Sequence, residues 1–236
     1  MKYGSFPVLL ILCFAVFSVK AQDFEFNLDR GLTTEETYLQ DAIIIMLIRE
    51  QSRADGRDLK VSALNNIGSA IEQGLRVREI LNALEHLALQ GTQNRTFAQN
   101  INHPDIRSRA AIYLGEFGGQ EAYSILIRMA MVERDSSVMV NVINSLRVIG
   151  INDNQSTLNI INRTMRHFDM FAPDNRLALS ALEAYEVFAE QNNWRLDPAS
   201  MEVLYQISTG RYLGSIRQRA NTLLTRVRTF QRSGAH

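Results

Sequence analysis

At 236 residues, with 46% hydrophobic and 21% charged side chains, the chain has the composition of a folded protein and is long for one small domain. Its 25 basic and 25 acidic residues cancel, so no overall charge points to a class of partner. Thirteen Gly and four Pro are too few for a many-turned all-β chain, and one Cys excludes an internal disulfide, an iron–sulfur cluster and a multi-cysteine zinc site.

The chain opens with Lys2, an apolar stretch from Pro7 to Phe17, and small residues Val19 and Ala21 at the −3 and −1 places of a cleavage site. This is the three-part pattern of a secretory signal peptide, residues 1–21, with cleavage expected after Ala21. The apolar run of 11 residues is too short for a span, which takes roughly 20. Cys13 follows Leu12, where lipid attachment needs a small residue. A periplasmic or secreted protein without cysteine, which needs no oxidative folding, is therefore expected. Without residues 1–21 the chain carries 23 basic and 25 acidic residues, and Lys60 is its only lysine. Charge is spread unevenly: residues 22–58 sum to −5, whereas the stretch after Glu202 has six Arg and no acid.

Residues 22–57 read as an N-terminal segment with a capping helix. Thr33 and Glu36 form a capping box, and the helix they open is expected to end near Ala54, before Gly56. Inside it Ala42–Ile48 is apolar without a break, which predicts burial on nearly all sides. Helices are expected over 58–73 and 77–90, each ended by a glycine, Gly74 and Gly91. After a polar loop, Pro104 suits a first helical position, and an apolar stripe from Ile106 ends at Gly118.

From there the pattern repeats. Val138, Val142, Ile143, Leu146 and Gly150 stand 32 residues beyond Ile106, Ala110, Ala111, Leu114 and Gly118. Ala178, Leu179 and Leu182 follow 36 residues later, and Ile216, Ala220 and Leu224 repeat the places of Ile106, Ala110 and Leu114. Ser215 and Gln218 read as a further capping box. Second helices fit between these, near 120–132, 156–168 and 198–208, the last opened by Asp197 and Pro198. The expected fold is all-α: an α-solenoid, an elongated right-handed stack of about five antiparallel helix pairs over residues 58–230, followed by a tail at 231–236.

The segment Pro104–Gly118, followed by Glu121, Ala122 and a helix reaching Asp135, resembles a HEAT repeat of the short bacterial type also found in relatives of phycobilisome lyases. Residues 135–150 match fairly, with Met139 where the family usually has Arg; the units near Asp174, Ser215 and Asp58 match less well. The resemblance implies a fold, not an activity, because the repeat contains no catalytic residue. HEAT-like stacks serve mainly as protein-binding scaffolds, with the second helix of each pair lining the concave side. That implies a binding strip of Arg78, Asn82 and Glu85, then Tyr123 and Arg128, then Asn159, Arg163 and Arg166. The basic end, Arg217, Arg219, Arg226 and Arg228, is a second candidate protein-binding surface, suited to an acidic partner or to the acidic end of another copy.

Chemistry is sparse. His86, His103, His167 and His236 form no metal-ligand spacing, the Gly115–Gly119 run lacks the Lys-Ser/Thr of a phosphate loop, and there is no Gly-x-Ser-x-Gly. Three Asn-x-Ser/Thr triplets start at Asn94, Asn154 and Asn162, and Trp194 reads as a packed plug between helices. No catalytic residue, cofactor or metal is assigned. The expectation is a non-enzymatic exported scaffold that binds a protein of the bacterial envelope or assembles end to end. Peripheral membrane association is compatible with that reading, and a nucleic-acid role is not. The competing reading is an enzyme or enzyme subunit, lyase-like or binding an envelope polymer.

Overall fold

Local signals in the sequence account for where helices start. Asp135, Asp174 and Asp197 each turn a carboxylate onto backbone N–H groups of the first turn, and Pro104 and Pro198 occupy the opening turn of their helices. Stops are equally local. Gly118 and Gly119 both take positive φ, +72° and +79°, which lets the chain reverse within two residues.

The computed structural model describes residues 34–92, 103–169 and 172–233. The signal-peptide pattern, Thr33 of the first capping box and the Asn94 triplet lie outside these residues. All regular structure among the described residues is helical: α1 (Thr34–Arg53), α2 (Arg57–Glu72), α3 (Arg78–Leu89), α4 (Pro104–Phe117), α5 (Gly119–Val132), α6 (Ser136–Ile149), α7 (Ser156–Asp169), α8 (Asn175–Gln191), α9 (Pro198–Thr209) and α10 (Gly214–Ser233), with one 3-10 turn before α7. One start differs from expectation. The Leu213 carbonyl accepts the Arg217 N–H, so Leu213 caps α10 and Ser215 lies inside its first turn.

Each helix packs against the next but one. The even helices follow one another side by side (α2 on α4, α4 on α6, α6 on α8, α8 on α10), and the odd ones do the same from α1 through α9. One continuous apolar cluster fills the space between. Leu114, Leu146, Leu182 and Leu224, the equivalent positions of the sequence register, are all buried in it. Small residues allow close approach within the even row. A Cβ on Gly115 would lie 2.8 Å from the Cβ of Ser145, whose hydroxyl donates to the Ala111 carbonyl at 2.7 Å.

The beginnings of successive even helices are tied by polar contacts. Arg57 of α2 pairs with Asp105 of α4 at 2.6 Å, and Arg107 of α4 with Glu133, just before α6, at 2.6 Å. Against burial, Ser136 of α6 helps hold the Asp174 carboxyl, at the start of α8, below its ordinary value, and Asn175 of α8 accepts the Leu213 N–H at 3.0 Å. Of these pairs, only Arg107–Glu133 is a buried ion pair. It is bidentate, and Glu133 also accepts the N–H groups of Arg134 and Asp135.

α1 departs from its expected environment. It packs on both α2 and α3, at the head of the odd row. Of the run Ala42–Ile48 only Ile48 is fully buried, while Ala42, Ile43, Met46 and Leu47 are exposed. The uninterrupted apolar run does not mean burial on all sides here, because no described element covers the outer face.

Candidate functional site

The odd helices carry the strip read from the sequence. Arg78 and Asn82 on α3, Arg128 on α5, and Asn159, Arg163 and Arg166 on α7 are exposed, and Glu85 is half-buried. Ion pairs step from one odd helix to the next: Arg128 reaches Glu85 at 2.7 Å, and Arg166 reaches Glu202 of α9 at 2.9 Å. Both pairs are open to solvent, so each contributes at most about 1 kcal/mol and leaves the charges available to a ligand.

Tyr123 is the exception. It is buried, and its hydroxyl lies against Ser156 Oγ and takes a hydrogen bond from Thr157 Oγ1, fastening α5 to the start of α7. Its neighbours Ala122 and Leu126 share the core face, so Tyr123 is a core residue with a satisfied hydroxyl and not part of an exposed strip.

An open cleft of about 680 Å³ gathers Asn82, Glu85 and His86 of α3, Arg128 of α5, and Arg49 and Arg53 of α1. The sequence reading assigned Arg49 and Arg53 to a separate capping helix; the packing of α1 on α3 brings them to this cleft. Partial burial, together with the charges of Lys60 and Arg53, pushes the His86 imidazole below its ordinary value. Lys60, fully buried at the start of α2, donates to the Asp55 carbonyl at 3.4 Å, and burial lowers its ammonium below the ordinary value against the pull of Asp55. Arg163 stands apart from this group, lining a second cleft of about 600 Å³ with His167, Arg134 and the Arg107–Glu133 pair.

At the C-terminal end, two of the four arginines are engaged within the chain. Arg219 bridges to Glu186 at 3.1 Å and to Glu183 at 3.5 Å, tying α10 to α8. Arg226 lies 3.8 Å over the Trp194 ring, which stacks in turn on Phe230. Trp194 is the expected plug, and Arg226 clamps it. Arg217 and Arg228 are exposed. Asn162 of the third triplet is buried, donating to Ser200 Oγ at 3.1 Å and accepting from the Tyr185 hydroxyl at 2.6 Å, so it is closed to a glycosylating enzyme in the folded chain.

Among the described residues, no three His, Cys, Asp or Glu side chains come close enough to hold a metal ion, and no helix is long and apolar enough to cross a membrane. What fold and site define is an all-helical protein whose odd helices carry a charged, cleft-bearing surface. No protein-family model, curated protein or solved structure matches the chain.

Proposed function

We propose that the chain is a HEAT-like α-solenoid that acts as a non-enzymatic scaffold, exported to the periplasm or beyond, where it binds a protein of the envelope through its odd-helix surface. The observation that carries this reading is the packing of every helix on the next but one in both rows, with the starts of successive even helices tied in series. Such an arrangement extends by repetition, and its exposed row offers a long surface that a single compact core does not. The strip of Arg78, Asn82, Glu85, Arg128, Asn159, Arg163 and Arg166, with Arg49 and Arg53 added at the cleft, suits a partner presenting acidic side chains.

Crosslinking in intact cells, followed by mass spectrometry, tests the proposal. The wild-type chain should yield one recurrent protein partner, with crosslinks on α3, α5 and α7. Changing Arg128, Arg163 and Arg166 together to Glu should remove that partner while leaving the circular-dichroism spectrum unchanged, with the melting temperature lowered only by the loss of the two surface ion pairs. Unchanged recovery of the partner by a folded triple variant would contradict the reading.

A further inference from the structure

The uncovered face of α1 has a pattern of its own. Ile48 and Ser52 lie on its buried side. On the opposite side Leu39 is 61% exposed, Ile43 55% and Met46 52%. Glu35, Leu39, Ala42, Met46, Arg49 and Arg53 recur at alternating steps of four and three residues, the spacing that keeps one seam of a helix facing a second helix. All six are exposed. The seam is apolar in the middle, acidic at its N-terminal end and basic at its C-terminal end.

Few surfaces complement that order, and one is the same seam turned end for end. An antiparallel copy sets Ala42 opposite Met46, lays the stem of Arg49 over Leu39, and brings Glu35 to Arg53 at both ends. The small Ala42 at the centre lets the two helices approach closely, and their macrodipoles oppose favourably. A parallel arrangement would set Glu35 on Glu35 and Arg53 on Arg53. The far end of the chain fits poorly. Exposed positions of α10 are mostly polar (Gln218, Asn221, Thr222, Thr225, Thr229), and Arg219 and Arg226 are engaged within the chain.

We propose that a second copy of this chain covers the face, α1 against α1 in antiparallel register, giving a closed two-fold dimer rather than an end-to-end filament. Ile43 flanks the seam and is shielded with it. One helix per side buries less than the roughly 1,200 Å² at which standard interfaces begin, the size of weak, reversible associations. The inference rests on α1 and shares with the candidate binding surface only Arg49 and Arg53, which also border the cleft.

Sedimentation equilibrium from about 1 to 200 μM, on protein purified from cells expressing the full chain, is the test. The wild type should dimerise reversibly. Met46→Glu should raise the dissociation constant about thirtyfold or more, with an unchanged melting temperature at concentrations where the wild type too is monomeric, because Met46 is exposed in the single chain. Glu35→Arg and Arg53→Glu should each weaken association about fivefold, and the two together should restore it, since only the antiparallel register exchanges these partners. Arg128→Glu with Arg163→Glu and Arg166→Glu should leave the dimer intact, which separates this test from that of the strip. A monomer at every concentration overturns the proposal, whether a Met46→Cys thiol is then alkylated fast (a bare face) or slowly (a face covered by another part of the same chain). So does a dimer indifferent to Met46→Glu, or a double reversal no better than the single ones.

Discussion

Replacing Arg107 by Met and Glu133 by Ala, singly and together, probes how the even helices are joined. In the structure the side chains of the pair are 5% and 2% exposed, with Nε–Oε2 at 2.6 Å and Nη2–Oε1 at 3.1 Å. Removing either partner strands a charge in the interior, which costs about 3–5 kcal/mol; removing both costs far less, because the desolvation penalty of each goes with it. The chain supplies its own comparison. One repeat later, Met139 stands in the place of Arg107, and Ala172 stands two residues before the cap Asp174, as Glu133 stands two before Asp135. Met139 is fully buried, so the next repeat packs this position without charge. We therefore expect each single variant to lose about 3–5 kcal/mol, the double variant to lie within about 2 kcal/mol of the wild type, and the coupling energy to be about 4 kcal/mol or more. Urea unfolding of the four proteins, with m-values checked for equality, measures this. Additive single effects, with coupling under about 0.5 kcal/mol, would refute the reasoning.

Leu146→Ala should cost about 2–5 kcal/mol by the same unfolding assay, since the side chain is fully buried between neighbouring even helices, and a loss under about 1 kcal/mol would remove it from the core. The Ser137 hydroxyl, working against burial, and the N–H groups of Ser137 and Val138 hold the Asp135 carboxyl below its ordinary value of 3.8. The folded state thus prefers the carboxylate: the contribution is full above the unfolded value and is lost as pH falls through the lower folded one. Asp135→Ala should lower stability by about 0.5–2 kcal/mol at neutral pH, and the gap to wild type should narrow in urea titrations as pH drops below about 4. Arg226→Glu should destabilise the chain and make Trp194 fluorescence more solvent-exposed, because it removes the cation over the ring, while Arg228→Glu on the exposed surface should change stability by no more than about 0.5 kcal/mol.

Helix positions were legible because their punctuation is local. Pro104, Asp197 and the glycines at 74, 91, 118 and 150 act within a few residues of themselves, and the boundaries they suggest agree with the structure to within about two residues. The buried leucines were legible because a register repeated four times averages out chance. Three other features depend on what comes from elsewhere. An unbroken apolar run such as Ala42–Ile48 looks the same whether or not a neighbour covers it. Tyr123 offers a polar atom on a mostly apolar helix, and only the arrival of Ser156 and Thr157, more than thirty residues on, satisfies that atom inside. The engagement of Arg226 depends on a turn in which Asn193 and Trp194 take positive φ, 50° and 58°, and so set the indole beneath it. Of the candidate surface, the residues on α3, α5 and α7 followed from the HEAT-like resemblance together with helix period. Arg49 and Arg53 did not, because they reach the cleft through the docking of α1.

The central claim is that the chain is a stack of repeated units in which each depends only on its neighbours. Excising residues 135–173 tests it most directly, because this removes α6 and α7 and joins Arg134 to Asp174, the equivalent cap. α8 then takes the place of α6 against α4, with Ala184 where Ser145 met Gly115 and Tyr185 where Leu146 was buried. We expect the shortened chain to keep its helical circular-dichroism signal and to unfold in one cooperative transition at lower temperature. Loss of both the helical signal and the cooperative transition would contradict a repeating stack and point to a single indivisible core.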